Sequence, residues 1–253
     1  MNMMKSVITA AVLAVALVAP AMASEAPAPA KQQWSFKGPF GTFDRAALQR
    51  GFQVYKEVCS ACHAMHQVYY RNLAALGYNE DEIKALAASV EVQDGPNDEG
   101  QMFNRPGRPY DRFKSPFPND NAARAANNGA LPPDLSVMTK ARVHGADYLY
   151  ALLTGYKPAP ASMKLPDGMS YNTAFGGSQI AMGAPLSEGS VTYADGTKAT
   201  VPQMAHDVVT FLSWAAEPEM EERKRLGLKV MLFLLLLTGV LFAAKRRIWA
   251  NVH

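Results

Sequence analysis

Cys59-Ser60-Ala61-Cys62-His63 sets two thiols three positions apart and a histidine directly after the second. Thiols at this spacing each add to one vinyl group of a protohaem, and the imidazole that follows lies against the iron as its proximal ligand. Competing readings of the pentapeptide are a chance CxxCH, a redox CxxC or half of a metal site. The chain has 2 cysteines, both in this stretch. No further thiol completes a zinc site of three or four cysteines, and no partner is left for a structural disulfide. A thioredoxin-like CxxC belongs beside a βαβ pattern, and none is evident.

Working outward, Asp44 is a good N-cap for a helix through Val58. Leu48, Phe52, Tyr55 and Cys59 recur at steps of four, three and four, giving one apolar face that ends at the thiols. The N-terminus reads as an export signal over Met1–Ala23. Lys5 is its only charge, an apolar run follows from Val7 to Val18, and Ala21-Met22-Ala23 is a small-residue cleavage site. The run is short for a membrane anchor, which needs about 20 apolar residues. At the other end, Val230 to Ala244 is uncharged and Lys245-Arg246-Arg247 follows it. Counted from Leu226, only Lys229 interrupts the run, and its ammonium can snorkel to the headgroups. This is a transmembrane helix whose basic flank points to the cytoplasm, with Trp249 as an interfacial anchor. The expected organisation is a signal over 1–23, an exported haem domain over 24–222, a span over 226–244 and a cytoplasmic tail over 245–253.

The length of the exported body suits a single domain or one domain with insertions. Its formal net charge of +3 says little, because many cations gather near the membrane. There is no internal repeat and no nucleotide-binding glycine loop. Ser24 to Lys31 is a Pro/Ala-rich extended leader. Helices are expected over Asn79–Val90, with Asn79 capping, over Asn119–Asn127, over Ala146–Gly155 and over Gln203–Ala216. Asp94 to Pro118 has no periodic run and reads as a long loop. Val191–Tyr193 and Ala199–Val201 flank Ala194-Asp195-Gly196-Thr197-Lys198 as a small hairpin. The fold class is therefore mainly α with long loops and one C-terminal span.

A haem held by His63 needs a second ligand or an open position, and that choice separates electron transfer from chemistry on a substrate. His66 is too close in sequence to reach the far face. His144, His206 and several methionines remain. Met204 and Met220 lie on helical patterns and read as packing, while Met163 and Met169 sit in a loop. Met182 stands out in Ile180-Ala181-Met182-Gly183-Ala184-Pro185-Leu186, where small residues and a proline let a rigid strand of backbone cross a haem face.

Arg50-Gly51-Phe52-Gln53-Val54-Tyr55 before the CxxCH, then Val92-Gln93-Asp94-Gly95-Pro96-Asn97, Ala122–Ala130, Leu131-Pro132-Pro133-Asp134-Leu135-Ser136, Leu152-Leu153-Thr154-Gly155-Tyr156 and Trp214-Ala215-Ala216-Glu217-Pro218 occur in this order. Together they resemble the cytochrome c1 family, bacterial type, over nearly all the mature chain. The resemblance implies a class I c-type cytochrome-like domain with one covalent haem c, thioether cysteines Cys59 and Cys62, and axial ligands His63 and Met182. It puts Arg142 and Tyr148 near the propionates, where a cation and a hydroxyl suit the carboxylate charge. Gly183 and Ala184 replace prolines of some members. The chain also lacks the cysteines of a disulfide-stapled insertion found in some bacterial relatives.

The function implied is the electron-transfer subunit of the cytochrome bc1 complex, a quinol:cytochrome c reductase in which this chain by itself is a non-catalytic carrier. The implied partners are cytochrome b, the Rieske iron-sulfur protein, a soluble cytochrome c and the membrane, with no nucleic acid. The implied location is the bacterial inner membrane, single-pass, with the haem domain on the periplasmic side. Glu91, Asp94, Asp98 and Glu99 form an acidic cluster suited to steering a basic cytochrome c. The alternatives are a membrane-anchored haem enzyme with an open sixth position, using His144 or His206, and a tethered cytochrome c that works alone.

Overall fold

The structure, a computed structural model, describes residues 28–251. The export signal expected over Met1–Ala23 lies outside these residues, as does His253. The order of the larger elements is α1 (Arg45–Glu57), α2 (Glu80–Ala88), β1 (Glu91–Asp94), β2 (Phe103–Pro106), α3 (Asp120–Ala126), α4 (Gly145–Thr154), β3 (Ser170–Tyr171), β4 (Gln179–Ile180), α5 (Val201–Ala216) and α6 (Met220–Trp249). The chain is mainly helical with long connections, as its periodicity indicates.

Each helix starts where a side chain satisfies the free amides of its first turn. Asp44 accepts from the amides of Ala46 and Ala47 at α1. Asn79 accepts from Asp81 and Glu82 at α2, and Glu82 returns a bond to the Asn79 amide. Asn119 and Thr200 cap α3 and α5. α1 buries Leu48, Phe52, Val54 and Tyr55 against α5, which buries Val208, Phe211, Leu212 and Trp214. Gly51 is where the two backbones meet: a Cβ there would lie 2.1 Å from the Asp207 carbonyl oxygen. Phe52, Tyr55, Phe113 and Phe211 gather around that crossing, with ring centroids 5.7–5.8 Å apart in the pairs they form. Arg50 forks onto buried Asp207 at 2.9 and 3.1 Å and reaches Asp195 at 2.8 Å.

Two local expectations are corrected. The segment Asp94–Pro118 is not all loop: β1 and β2 pair antiparallel, from Glu91 with Pro106 to Asp94 with Phe103. These strands are short and carry no buried alternating face, so periodicity does not reveal them. Arg105 holds the hairpin instead, ion-paired to Asp94 and, at 2.6 Å, to Asp111. Conversely, Val191–Val201 forms no ladder. Val191, Tyr193 and Ala199 are buried in the core, and Thr200 is committed to capping α5. The alternation is real, but these side chains are held by helices rather than by a facing strand.

The segment before α1 straps the body together. Asp147 of α4 accepts from the Gln32 amide at 3.0 Å, the Trp34 indole at 2.6 Å and the Lys37 ammonium at 2.7 Å. α6 is one continuous helix of 30 residues that is long and apolar enough to cross a membrane, and its most apolar stretch buries no surface within the protein. The span expected over 226–244 falls inside it.

Candidate functional site

The apolar face of α1 runs into Cys59–Ala61, a single 3₁₀ turn. The amides of Cys62 and His63 both donate to the Cys59 carbonyl, at 3.1 and 2.9 Å. This turn puts both thiols and the imidazole at the end of one helix. Burial pushes the Cys59 thiol up to about 12, with Cys62 adding to the effect. A redox CxxC needs the opposite, a thiol pKa lowered by its surroundings. Among the described residues no group of three or more His, Cys, Asp or Glu side chains gathers as a metal site, so nothing there completes the half-zinc reading.

His63 Nδ1 lies 2.8 Å from the Pro133 carbonyl oxygen. A carbonyl only accepts, so the proton sits on Nδ1 and the lone pair on Nε2. Burial lowers the His63 pKa and outweighs the Pro133 bond and the Asp134 charge. The ring is thereby kept neutral, the state a metal-ligating histidine requires, with its other nitrogen oriented by a backbone acceptor.

Leu131–Ser136 is fastened to the chain just after His63. The Leu135 amide donates to the Ala64 carbonyl at 2.9 Å. Asp134 accepts from the Ser136 amide at 2.7 Å, the His66 amide at 2.8 Å and His66 Nδ1 at 2.6 Å. The Gln67 amide donates to Ser136 Oγ at 3.0 Å. Burial opposes ionisation of Asp134, yet these donors from Ser136 and His66 hold its pKa below the usual carboxylate value. Sequence alone gives Pro133 and Asp134 no role beyond their motif. The Asp-x-Ser spacing, which favours a local side-chain-to-amide turn, is the signal that carries Asp134's role.

The structure narrows the ligand candidates. Both ring nitrogens of His66 are engaged, by Asp134 and by Ser115 Oγ at 2.9 Å. His206 stacks on Trp34 with centroids 4.7 Å apart. Met204 is fully buried and accepts from Ser190 Oγ, which agrees with packing. His144 is exposed and begins α4 with φ 65°. Met182 is half-buried, two residues beyond β4. β4 pairs with β3, Ser170 opposite Ile180. Buried Asn172, just after β3, donates to the Leu152 carbonyl at 2.8 Å, and Thr173 Oγ1 donates to Gly155 at 3.2 Å. The Met182 segment is thus tied to the C-terminal end of α4.

α4 also carries Tyr148, whose pKa is raised by burial, with the Arg142 charge opposing the rise. Arg142 is exposed and bonds only the adjacent Ala141 carbonyl, at 3.0 Å, among the described residues. Tyr156, just past α4, has a buried hydroxyl with no hydrogen-bond partner among the described residues. Its pKa is pushed up to about 12, chiefly by burial and further by Tyr148. A lone buried hydroxyl is costly. Beside Tyr148 and Arg142 it is a donor set suited to carboxylates. The thiol pair, the neutral imidazole and these donors fit a haem with its propionates.

The chain is similar to known proteins of one family. The model for the Cytochrome C1 family matches residues 34–252. Cytochrome c1 of Rhodospirillum rubrum is 52% identical over 238 residues, covering 88% of each chain. The mitochondrial heme protein cytochrome c1-2 of Solanum tuberosum is 52% identical over 215 residues, 85% of this chain and 82% of that one. Cytochrome b/c1 of Bradyrhizobium diazoefficiens is 49% identical over 247 residues. That alignment takes in 89% of this chain and spans only 36% of the Bradyrhizobium protein.

Proposed function

This chain belongs to the cytochrome c1 family, whose members carry one covalently bound haem c in the electron-transfer subunit of the bc1 complex, and we propose how its own residues divide that work. Cys59 and Cys62 hold the group by thioether bonds. His63 through Nε2 and Met182 through its thioether would hold the iron. Arg142 and Tyr148 take the propionates, and Tyr156 joins them. The haem, when bound, supplies a one-electron ferric/ferrous couple. A neutral imidazole and a soft thioether favour the ferrous form and raise the potential. With the iron held by two of the protein's own side chains, the chain would pass electrons and transform no substrate.

The observation that carries this reading is the 2.8 Å bond from His63 Nδ1 to Pro133. It sets the tautomer that ligation needs, and it comes from a segment fastened to the residues just after His63. The anchored body over 24–222 faces the periplasm, the span over 226–244 returns the chain, and the tail over 245–253 is cytoplasmic. The Rieske iron-sulfur protein is the electron donor, a soluble cytochrome c the acceptor, and cytochrome b the neighbour of α6.

Acid-acetone extraction tests the attachment. The wild-type protein retains its haem, Cys59→Ala and Cys62→Ala each weaken retention, and the double variant retains none. Full retention in the double variant would remove the assignment. Isolation in mild detergent tests the assembly: cytochrome b and the Rieske protein accompany the chain, whereas a carrier that works alone emerges without them.

A further inference from the structure

Glu221, Lys224, Arg225 and Leu228 form one stripe along the first two turns of α6, and the segment from Phe36 to Phe43 lies against it. Lys224 Nζ donates to the carbonyls of Phe36 and Gly41, at 2.7 and 2.9 Å. Glu221 accepts from the Phe43 amide at 2.7 Å and from Arg45 at 2.8 Å. These bonds fix a turn whose tip, Phe40, is 77% exposed. Between Pro39 and Phe40 on one wall and Lys224, Arg225 and Leu228 on the other lies a cavity of about 210 Å³.

The position of this cavity gives its meaning. Leu228 lies about 10 Å along the helix from Glu221 at 1.5 Å per residue, and the apolar run begins at Leu226. The cavity therefore opens at the boundary between water and hydrocarbon. Its charge is cationic there. Arg45 offsets Glu221, Lys224 meets only backbone carbonyls, and Arg225 makes no ion pair or hydrogen bond among the described residues. A guanidinium fork matches a phosphodiester. At this level the exposed Phe40 ring suits the boundary between headgroups and acyl chains.

We propose that this cavity seats the headgroup of an anionic glycerophospholipid, with Arg225 on the phosphate and Phe40 inserted among the upper acyl chains. The proposal rests on α6 crossing the membrane. It makes the strap before α1 a second membrane contact, which fixes the tilt of the body over its anchor.

The test uses the full-length holoprotein in nanodiscs of phosphatidylcholine and phosphatidylglycerol. Its native cysteines are consumed by haem attachment, so Phe40→Cys, Asp81→Cys and Leu235→Cys each offer one thiol for a nitroxide. The label at position 40 collides with oxygen more than with a water-soluble nickel chelate, as at 235 and opposite to 81. In an otherwise native chain, Arg225→Gln loses about half of the preference for spin-labelled phosphatidylglycerol over phosphatidylcholine. Three results overturn the proposal: chelate access at 40 equal to that at 81, access by neither reagent because a protein covers the turn, or unchanged lipid preference in Arg225→Gln. Chelate access at 235 would instead show that the span reading has failed, and the proposal with it.

Discussion

Asp147 is the clearest case of a single side chain organising distant sequence. Its buried carboxylate takes donors from Gln32, Trp34 and Lys37. Burial opposes its ionisation, but those bonds, that from Lys37 first, hold its pKa below the usual carboxylate value. Asp134 behaves alike, with Ser136 and His66 as donors. Such a carboxylate contributes its full stability above its unfolded pKa of about 3.9 and loses it as pH falls through the lower folded value. Stability of the wild-type protein therefore declines below about pH 4, and the decline is shallower in Asp147→Asn, as followed by denaturant unfolding from about pH 6 to about pH 3. At neutral pH the same substitution costs ~1–3 kcal/mol, because it weakens charge-assisted bonds at a buried site. At this scale the sequence was legible where chemistry is carried by residue type. The thiol pair and His63 stand out by spacing, and Met182 is proposed from its small neighbours. Pro133 acts through a carbonyl that every residue has, so nothing in its side chain reveals the role. Tyr156 and Tyr193 both bury a hydroxyl without a partner, and only the placement of Tyr156 near Tyr148 suggests its role, which requires three dimensions to see.

The elements meet most closely where α1 crosses α5. Gly51→Ala places a Cβ 2.1 Å from the Asp207 carbonyl oxygen and 2.8 Å from Phe211 Cβ. Both are fixed, one by the backbone and one by the core, so the helices must part. A loss of ~2–3 kcal/mol or more is expected by thermal or denaturant unfolding. One residue earlier, Arg50 is the counter-charge for Asp207, whose side chain is fully buried. Arg50→Ala strands that carboxylate, with an expected cost of ~3–5 kcal/mol. Arg50→Lys recovers only part of the loss, since a single ammonium cannot reproduce the fork onto both Asp207 oxygens. A cost near zero for Arg50→Ala would mean that Asp207 finds another partner. Helix starts were readable because Asp44, Asn79 and Asn119 advertise caps before apolar periods. The hairpin from Glu91 to Pro106 was not, because Arg105 and its carboxylates hold it and neither strand has an apolar face. Val191–Val201 misled in the other direction: its alternation reflects burial beneath α5 and not strand pairing.

The whole molecule has two functional ends, a haem domain that meets partners and a helix that holds it to a membrane. The hairpin turn carries exposed Asp98 and Glu99. Asp94 leaves the acidic cluster expected there, since Arg105 neutralises it. Reversing Asp98 and Glu99 to lysine slows reduction of a basic cognate cytochrome c at low salt and leaves haem spectrum and potential unchanged. The difference shrinks as the Debye length falls below about 10 Å, and equal stopped-flow rates at low salt would deny the turn a steering role. The central claim is that the protein itself fills both axial positions, which makes it an electron carrier and not a haem enzyme. The most direct measurement is the absorption spectrum of the reduced full-length protein before and after addition of carbon monoxide. The wild-type spectrum stays unchanged. Met182→Leu keeps its covalent haem, binds carbon monoxide and has a lower midpoint potential, because leucine offers no donor atom. Prompt carbon monoxide binding by the wild-type protein, or a Met182→Leu variant indistinguishable from it, would contradict the assignment.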